Sequence, residues 1–431
     1  MHKKLYYTIT LVLLVNVLFI STSKAQTNSK LYFLVPDRVF DGVVMHKGWA
    51  VLTEGNKILA VGEKSTVVKN PKVSRAEQIS LKGMTLLPGL IEGHSHLFLY
   101  PYNQANWNDQ VLKESSALRV ARATVHAKAN LMAGFTTLRD LGTEGSGYDD
   151  VGLKAAIDRG VIPGPRLLIA TRAIVATGSY GPKGFAPHVH VPLGAEEADG
   201  VDGIIKVVRR QIGKGADIIK VYADYRWGPN KEARPTFTLD ELKLMVKITK
   251  SSGRGVVAHA ATAEGMRRAT LAGVETIEHG DGGTPEVFRL MKQKGVALCP
   301  TLAAGDAIMQ YRGWKKGVMP DPERIVRKKK SFKQALEAGV TIAFGGDVGV
   351  FAHGENAREL EMMVEYGMKP IEVLRSATSV NAKVFHLENK LGKLQKGFLA
   401  DIIAVKGNPL KNIKDIRQVK LVMKDGMIYK R

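Results

Sequence analysis

One cysteine in 431 residues, Cys299, excludes any disulfide within the chain, so packing and hydrogen bonds must carry the fold. It lies in the apolar run Val296-Ala297-Leu298-Cys299, where a buried structural thiol is expected. Aromatic residues are also few, at 7%, and acids number 41 against 63 lysines and arginines. The resulting charge of +22 is scattered rather than interleaved with aromatics, which argues for a generally basic surface and no nucleic-acid partner. Its one dense cluster, Arg327-Lys328-Lys329-Lys330, precedes Phe332 and Leu336 at helical spacing and is expected to be a solvated helix face.

Long apolar runs are missing as well, with one exception. The run Ile9 to Ile20 follows Lys3 and Lys4 and precedes Ser23-Lys24-Ala25, a small-residue cleavage site before Gln26. Residues 1–25 therefore have the pattern of a signal peptide, too short for a comfortable bilayer span. Export to the periplasm or beyond is expected, with no stable membrane insertion after cleavage. No cysteine stands at the end of the run, which argues against a lipid-modified terminus. Solenoid repeats and low-complexity segments are absent.

The remaining chain is long enough for a large core and changes texture twice. Residues 26–87 contain short strands and turns, such as Ala50-Val51-Leu52-Thr53 and Lys57-Ile58-Leu59-Ala60-Val61 around Glu54-Gly55-Asn56. Across residues 88–390, strand-like runs alternate with amphipathic helices. The runs end at His94, Arg139, Ala170, Val221, His259, His279, Cys299 and Gly345. Helix starts are marked by Thr238 with Glu241, a capping box, and by Thr284-Pro285. Eight strands with helices between them predict a (β/α)8 TIM barrel. Residues 391–431 return to hairpin signals, with Asp425-Gly426 as a turn, and are expected to complete a small β-sandwich domain formed by both chain ends.

In Pro88-Gly89-Leu90-Ile91-Glu92-Gly93-His94-Ser95-His96 the two histidines are two residues apart, so on an extended strand they point to one side. An isolated His-Ser-His is more often a buried hydrogen-bonded pair. Four later positions overturn that reading: Lys220, His259, His279 and Asp347 also fall at or just beyond strand ends. In a barrel of this kind that end is the catalytic face, and histidine with aspartate is a ligand set for zinc or a similar divalent ion. A lysine facing a barrel interior loses its proton more readily on desolvation. Its neutral amine can take up carbon dioxide to form a carbamate able to bridge two cations; the alternative is an ion pair with an acid such as Glu278.

These residues resemble the amidohydrolase superfamily, from Arg38-Val39-Phe40-Asp41-Gly42 to Gly397-Phe398-Leu399-Ala400-Asp401. The resemblance implies a barrel with a flanking β-sandwich and two divalent metal ions. His94, His96 and Asp347 would hold one ion, His259 and His279 the other, and carboxylated Lys220 would lie between them. Two cations lower the pKa of a bridging water from about 15.7 towards 7, supplying hydroxide for attack on a carbonyl. Asp347 would act as general acid and base in hydrolysis of a carbon–nitrogen bond. Gly134-Phe135-Thr136-Thr137-Leu138-Arg139-Asp140 and Lys220-Val221-Tyr222 are similar to the imidazolonepropionase-related branch with Xaa-Pro and Xaa-Arg dipeptidases.

The expected substrate is thus a small molecule, a dipeptide or an N-acyl amino acid. Tyr222 shares the inward side with Lys220 and can donate to the carbonyl oxygen, a role weighed against simple packing at the barrel mouth. Arg139 and Arg172 are candidates for a substrate carboxylate, with structural pairing as the alternative. His188 is a further substrate-contact candidate, on a Gly/Pro-rich loop with His190. A cyclic amidase, lactonase or esterase on the same scaffold is the nearest competitor, and a non-catalytic binding protein a distant one. Homo-oligomerisation remains open.

Overall fold

A computed structural model describes residues 30–431, and the leader expected at 1–25 lies outside the described residues. Leu31 to Arg431 form one compact unit. The first strands are β1 (Leu31–Phe40), β2 (Trp49–Glu54), β3 (Lys57–Glu63) and β4 (Glu77–Pro88). The barrel staves follow as β5 (Leu90–Ser95), β6 (Phe135–Asp140), β7 (Arg166–Ile169), β8 (Ile219–Tyr222), β9 (Val256–Ala260), β10 (Thr276–His279) and β11 (Ala297–Cys299). The chain ends in β12 (Ile402–Lys406), β13 (Val419–Lys424) and β14 (Met427–Lys430).

Both chain ends share one sheet, in the order β14-β13-β12-β4-β1-β2-β3. β4 is the seam, parallel to β1 and antiparallel to β12. Leu34, Val51 and Ile58 from the N-terminal strands share a core with Ile402, Leu421 and Met423 from the C-terminal ones. The two layers expected of a sandwich are therefore arms of a single continuous sheet. The expected turns at Glu54-Gly55-Asn56 and Asp425-Gly426 connect antiparallel neighbours.

In the barrel, alternation along each stave separates two environments. Ile219 and Val221 face outward into the helix layer, where they share a core with Leu242 and Met245 from helix Leu239–Lys250. Lys220 and Tyr222 are left to face inward. The helix begins at the expected capping box, with Thr238 Oγ1 accepting from the Glu241 amide and the Glu241 carboxylate accepting from the Thr238 amide. Thr284 caps the next helix but one, with Pro285 in its first turn.

The eighth stave is not the regular strand expected at 341–345. Residues 341–348 close the ring irregularly: Leu298 N donates to Thr341 O, Ala343 N to Leu298 O, and Gly93 N to Phe344 O. The irregularity accompanies a tight approach, since a Cβ on Gly345 would clash with Cys299 Sγ and stand 2.8 Å from His94 N. Among the described residues no helix is long and apolar enough to cross a membrane.

Candidate active site

Parallel register aligns Tyr222 with His259, His259 with Glu278, and Glu278 with Cys299, so these four share the inward side of consecutive staves. His279 follows Glu278 directly and would face outward on an unbroken strand. Its backbone turns left-handed instead, at φ 74°, and brings the imidazole inward. Asp347 at φ 60°, Thr301 at φ 49° and Glu144 at φ 50° do the same around the same cavity. Half of the eight non-glycine residues with positive φ among the described residues thus line one site, a concentration typical of functional backbone strain.

The cavity has a volume of about 430 Å³, within the range of small-molecule sites. At its base His94, His96, His259, His279 and Asp347 converge; ring centres are 5.1 Å apart for His94 and His279, and 4.4 Å for His259 and His279. Ligand atoms of His94, His279 and Asp347 lie within 4.8 Å of one another. Lys220 is buried in the same interior, its Nζ 5.6 Å from the Tyr222 ring centre. Burial pushes its amine below the usual lysine range. Burial, and next the charge of Lys220, push His94 well down and His259 to about 3. Burial raises the Asp347 carboxyl.

The hydrogen bonds fix where protons stand. His96 Nδ1 lies 2.9 Å from the Gly142 carbonyl, which can only accept, so Nδ1 carries a proton, and in the neutral tautomer so fixed Nε2 is the lone-pair nitrogen. His94 Nδ1 likewise donates to Glu278 Oε2 at 2.8 Å. The two Nε2 atoms then face Asp347 Oδ1 at 3.6 Å and 3.4 Å, and that buried oxygen has no hydrogen-bond partner. Two imidazole nitrogens and a carboxylate oxygen directed at one spot fit a divalent cation.

Three of the residues expected to bind substrate stand elsewhere, and each is a correction. Arg139 is 1% exposed beneath the histidines. It donates to Gly93 O, Thr276 Oγ1 and Glu278 Oε1, and its guanidinium covers the Phe385 ring, so its donors are committed to the barrel interior. Arg172 donates to Ala195 O and pairs with Glu196. His188 and His190 are exposed and outside the cavity lining. Tyr222 does line it, stacked on His259 with ring centres 4.5 Å apart. Cys299 is buried, as expected.

The basic cluster also departs from expectation. Arg324, Arg327 and Lys328, at helical positions i, i+3 and i+4, line the cavity, while Lys330 faces solvent. Lys328 is buried, donating to His279 O at 2.7 Å and to Asp281 Oδ1 at 2.6 Å. Arg312, from the segment after β11, joins this basic side. Glu144, Tyr180 and Tyr225 line the cavity too and are not among the residues expected there. Glu144 lies just past the end of β6, so the strand-end rule that finds the metal-ligand candidates also points to it.

An amidohydrolase family model matches residues 85–428. An ochratoxinase from Aspergillus niger is 31% identical over 416 residues, covering 88% of this chain and 83% of the relative. A crystal structure of a Xaa-Pro dipeptidase with methionine bound in its active site is similar at 31% identity and a TM-score of 0.82, over 93% of this chain and 100% of that one. A prolidase complexed with N-methylphosphonate-L-proline is similar at 28% identity and a TM-score of 0.80, over 93% and 100%.

Proposed function

The chain belongs to the amidohydrolase family, and on that premise we propose that it is an exported hydrolase acting on the amide bond of a dipeptide or an N-acyl amino acid. The supporting observation is the pair of histidine Nε2 atoms facing the unpartnered Asp347 oxygen. His94, His96 and Asp347 would hold one divalent ion, His259 and His279 a second, and a carboxylated Lys220 would join them. Zinc suits this donor set. Such ions, when bound, activate water at neutral pH and polarise a carbonyl.

The protein groups supply the rest. Asp347 accepts a proton from the attacking water and delivers it to the leaving amine. Tyr222, whose hydroxyl reaches Glu144 Oε1 only at 3.5 Å, has a proton free for the carbonyl oxygen. Glu278 and the Gly142 carbonyl hold the first two imidazoles in the required tautomer.

The amino-acid character of the substrate is read from the basic side. Lys328 neutralises Asp281 at 2.6 Å, whereas Arg324 approaches that acid only at 3.9 Å. Guanidinium capacity at Arg312, Arg324 and Arg327 is therefore left for a substrate carboxylate. The metal-loaded protein is tested against dipeptides, N-acyl amino acids, lactones, activated esters and dihydropyrimidine-type cyclic amides. Turnover of amino-acid derivatives is expected; turnover confined to the other classes overturns the proposal.

A further inference from the structure

The side of the cavity across from Arg312, Arg324 and Arg327 contains a buried acid, Glu144, that the mechanism leaves unused; Arg226 also reaches the cavity there, beside Tyr225. Glu144 is buried, and among the described residues it has no lysine or arginine partner within 4.0 Å. The nearby buried Arg119 donates to the main-chain carbonyls of Phe98, Thr143 and Glu144 rather than to the carboxylate. A buried carboxylate without a cation is costly unless its oxygens are filled. Only one is: Oε2 accepts from Trp107 Nε1 at 2.8 Å and from Tyr180 OH at 2.6 Å. Oε1 has Tyr222 OH at 3.5 Å, the limit of a hydrogen bond.

Around this oxygen stand Tyr180, Tyr222 and Tyr225. Their ring centres are 4.9 Å apart for Tyr180 with either neighbour and 5.8 Å for Tyr222 with Tyr225. The rings are tilted or edge-on to one another, and aromatic rings beside a carboxylate attract a compact cation. Tyr225 already has Lys183 Nζ 5.7 Å and the Arg226 guanidinium 5.5 Å from its ring centre. Glu144 follows β6, and the tyrosines follow β7 or belong to β8 and the segment after it. Arg324 and Arg327 precede the eighth stave, across the ring from β8 and nearer to β6.

We propose that Glu144 with Tyr180, Tyr222 and Tyr225 forms a subsite for the free α-ammonium group of the substrate. Resting on the hydrolytic reading above, this favours the dipeptide, which has a free amine, over the N-acyl amino acid, which has none, and a dipeptide whose amine is acylated is refused. An ammonium on Oε1 also takes the place of the weak Tyr222 contact there, so one residue touches both the recognised group and the carbonyl's proton donor.

The test pairs a dipeptide with its N-acetyl counterpart on the metal-loaded enzyme. N-acetylation is expected to lower kcat/KM by about tenfold to a hundredfold, mainly through KM. Glu144→Gln should lower turnover of the dipeptide by a similar factor and leave the N-acetyl compound within about twofold, the measure of a lost charge contact rather than a lost scaffold. Equal turnover of the pair by the wild-type enzyme overturns the subsite, as does an equal loss on both compounds in the variant. If neither compound is hydrolysed, calorimetric titration of the pair decides. Tighter binding of the free amine keeps the subsite and removes the hydrolytic reading; equal or absent binding removes the subsite.

Discussion

Beneath the histidines, Arg139 and Glu278 have fixed partners, whereas at the cavity mouth several charged groups have donors or acceptors to spare. Arg139 and Glu278 satisfy one another, Gly93 O, Thr276 and His94 Nδ1 within a closed interior. Arg324 lies on the first turn of its helix with one acid at 3.9 Å, beside the cations Arg327 and Lys328 and near a helix N-terminus, where the macrodipole favours acids. Saturated charges hold ligands in place, and unsaturated ones are free to meet a substrate. The contrast predicts that floor substitutions damage folding or metal binding, while mouth substitutions change selectivity at unchanged stability.

The largest effect is expected where floor and substrate meet. Asp347→Asn should lower kcat on an amide by about a thousandfold, with a smaller loss on an activated ester whose leaving group needs no proton. Equal losses on the two substrates, at matched metal content, would break the general-acid assignment. Lys220→Ala should shed at least one ion per chain by elemental analysis, with partial return of activity in a short carboxylic acid. Unchanged metal content would remove the bridge.

Glu278→Ala sharpens the comparison from the structural side. It leaves Arg139 buried without its acid, so a loss of about 3–5 kcal/mol is expected in denaturant unfolding. Arg324→Met has no such consequence and should stay within about 0.5 kcal/mol of the parent. Its effect appears instead as a fall of about tenfold in kcat/KM on a carboxylate-bearing substrate, and little change on the C-terminal amide of the same compound. A marked loss of stability in Arg324→Met would erase the distinction between the two regions.

The same distinction explains what the sequence discloses. Strand-end histidines and Asp347 are legible because spacing of two and alternation of strand and helix specify direction. His279 needs only its place at a strand end, although the left-handed turn that aims it inward has no sequence signature. Arg139 is misplaced by sequence because a strand-end arginine has the same local pattern whether it meets Glu278 inside or a ligand above; the choice is made by a stave 139 residues later. Arg324, Arg327 and Lys328 escape notice because a mixed helical face looks solvated until the helix is docked beside a cavity. Glu144 carries the strand-end signal, but it lies four residues past the strand, in a loop whose path the sequence does not specify, so the pattern alone does not single it out.

His188 gives the smallest expected effect and tests whether two regions suffice. It is exposed on a Gly/Pro-rich loop, outside the cavity lining, as is His190. An exposed side chain away from packed contacts contributes within about 0.5 kcal/mol, so His188→Ala should leave stability within that margin and kcat/KM within about twofold. Steady-state kinetics on the dipeptide and thermal unfolding together check this. A tenfold fall in kcat/KM with stability unchanged would mean that the loop carries His188 to the substrate during turnover. Selectivity would then rest partly on a moving segment, and the division between a saturated floor and a fixed, unsaturated mouth would no longer account for it.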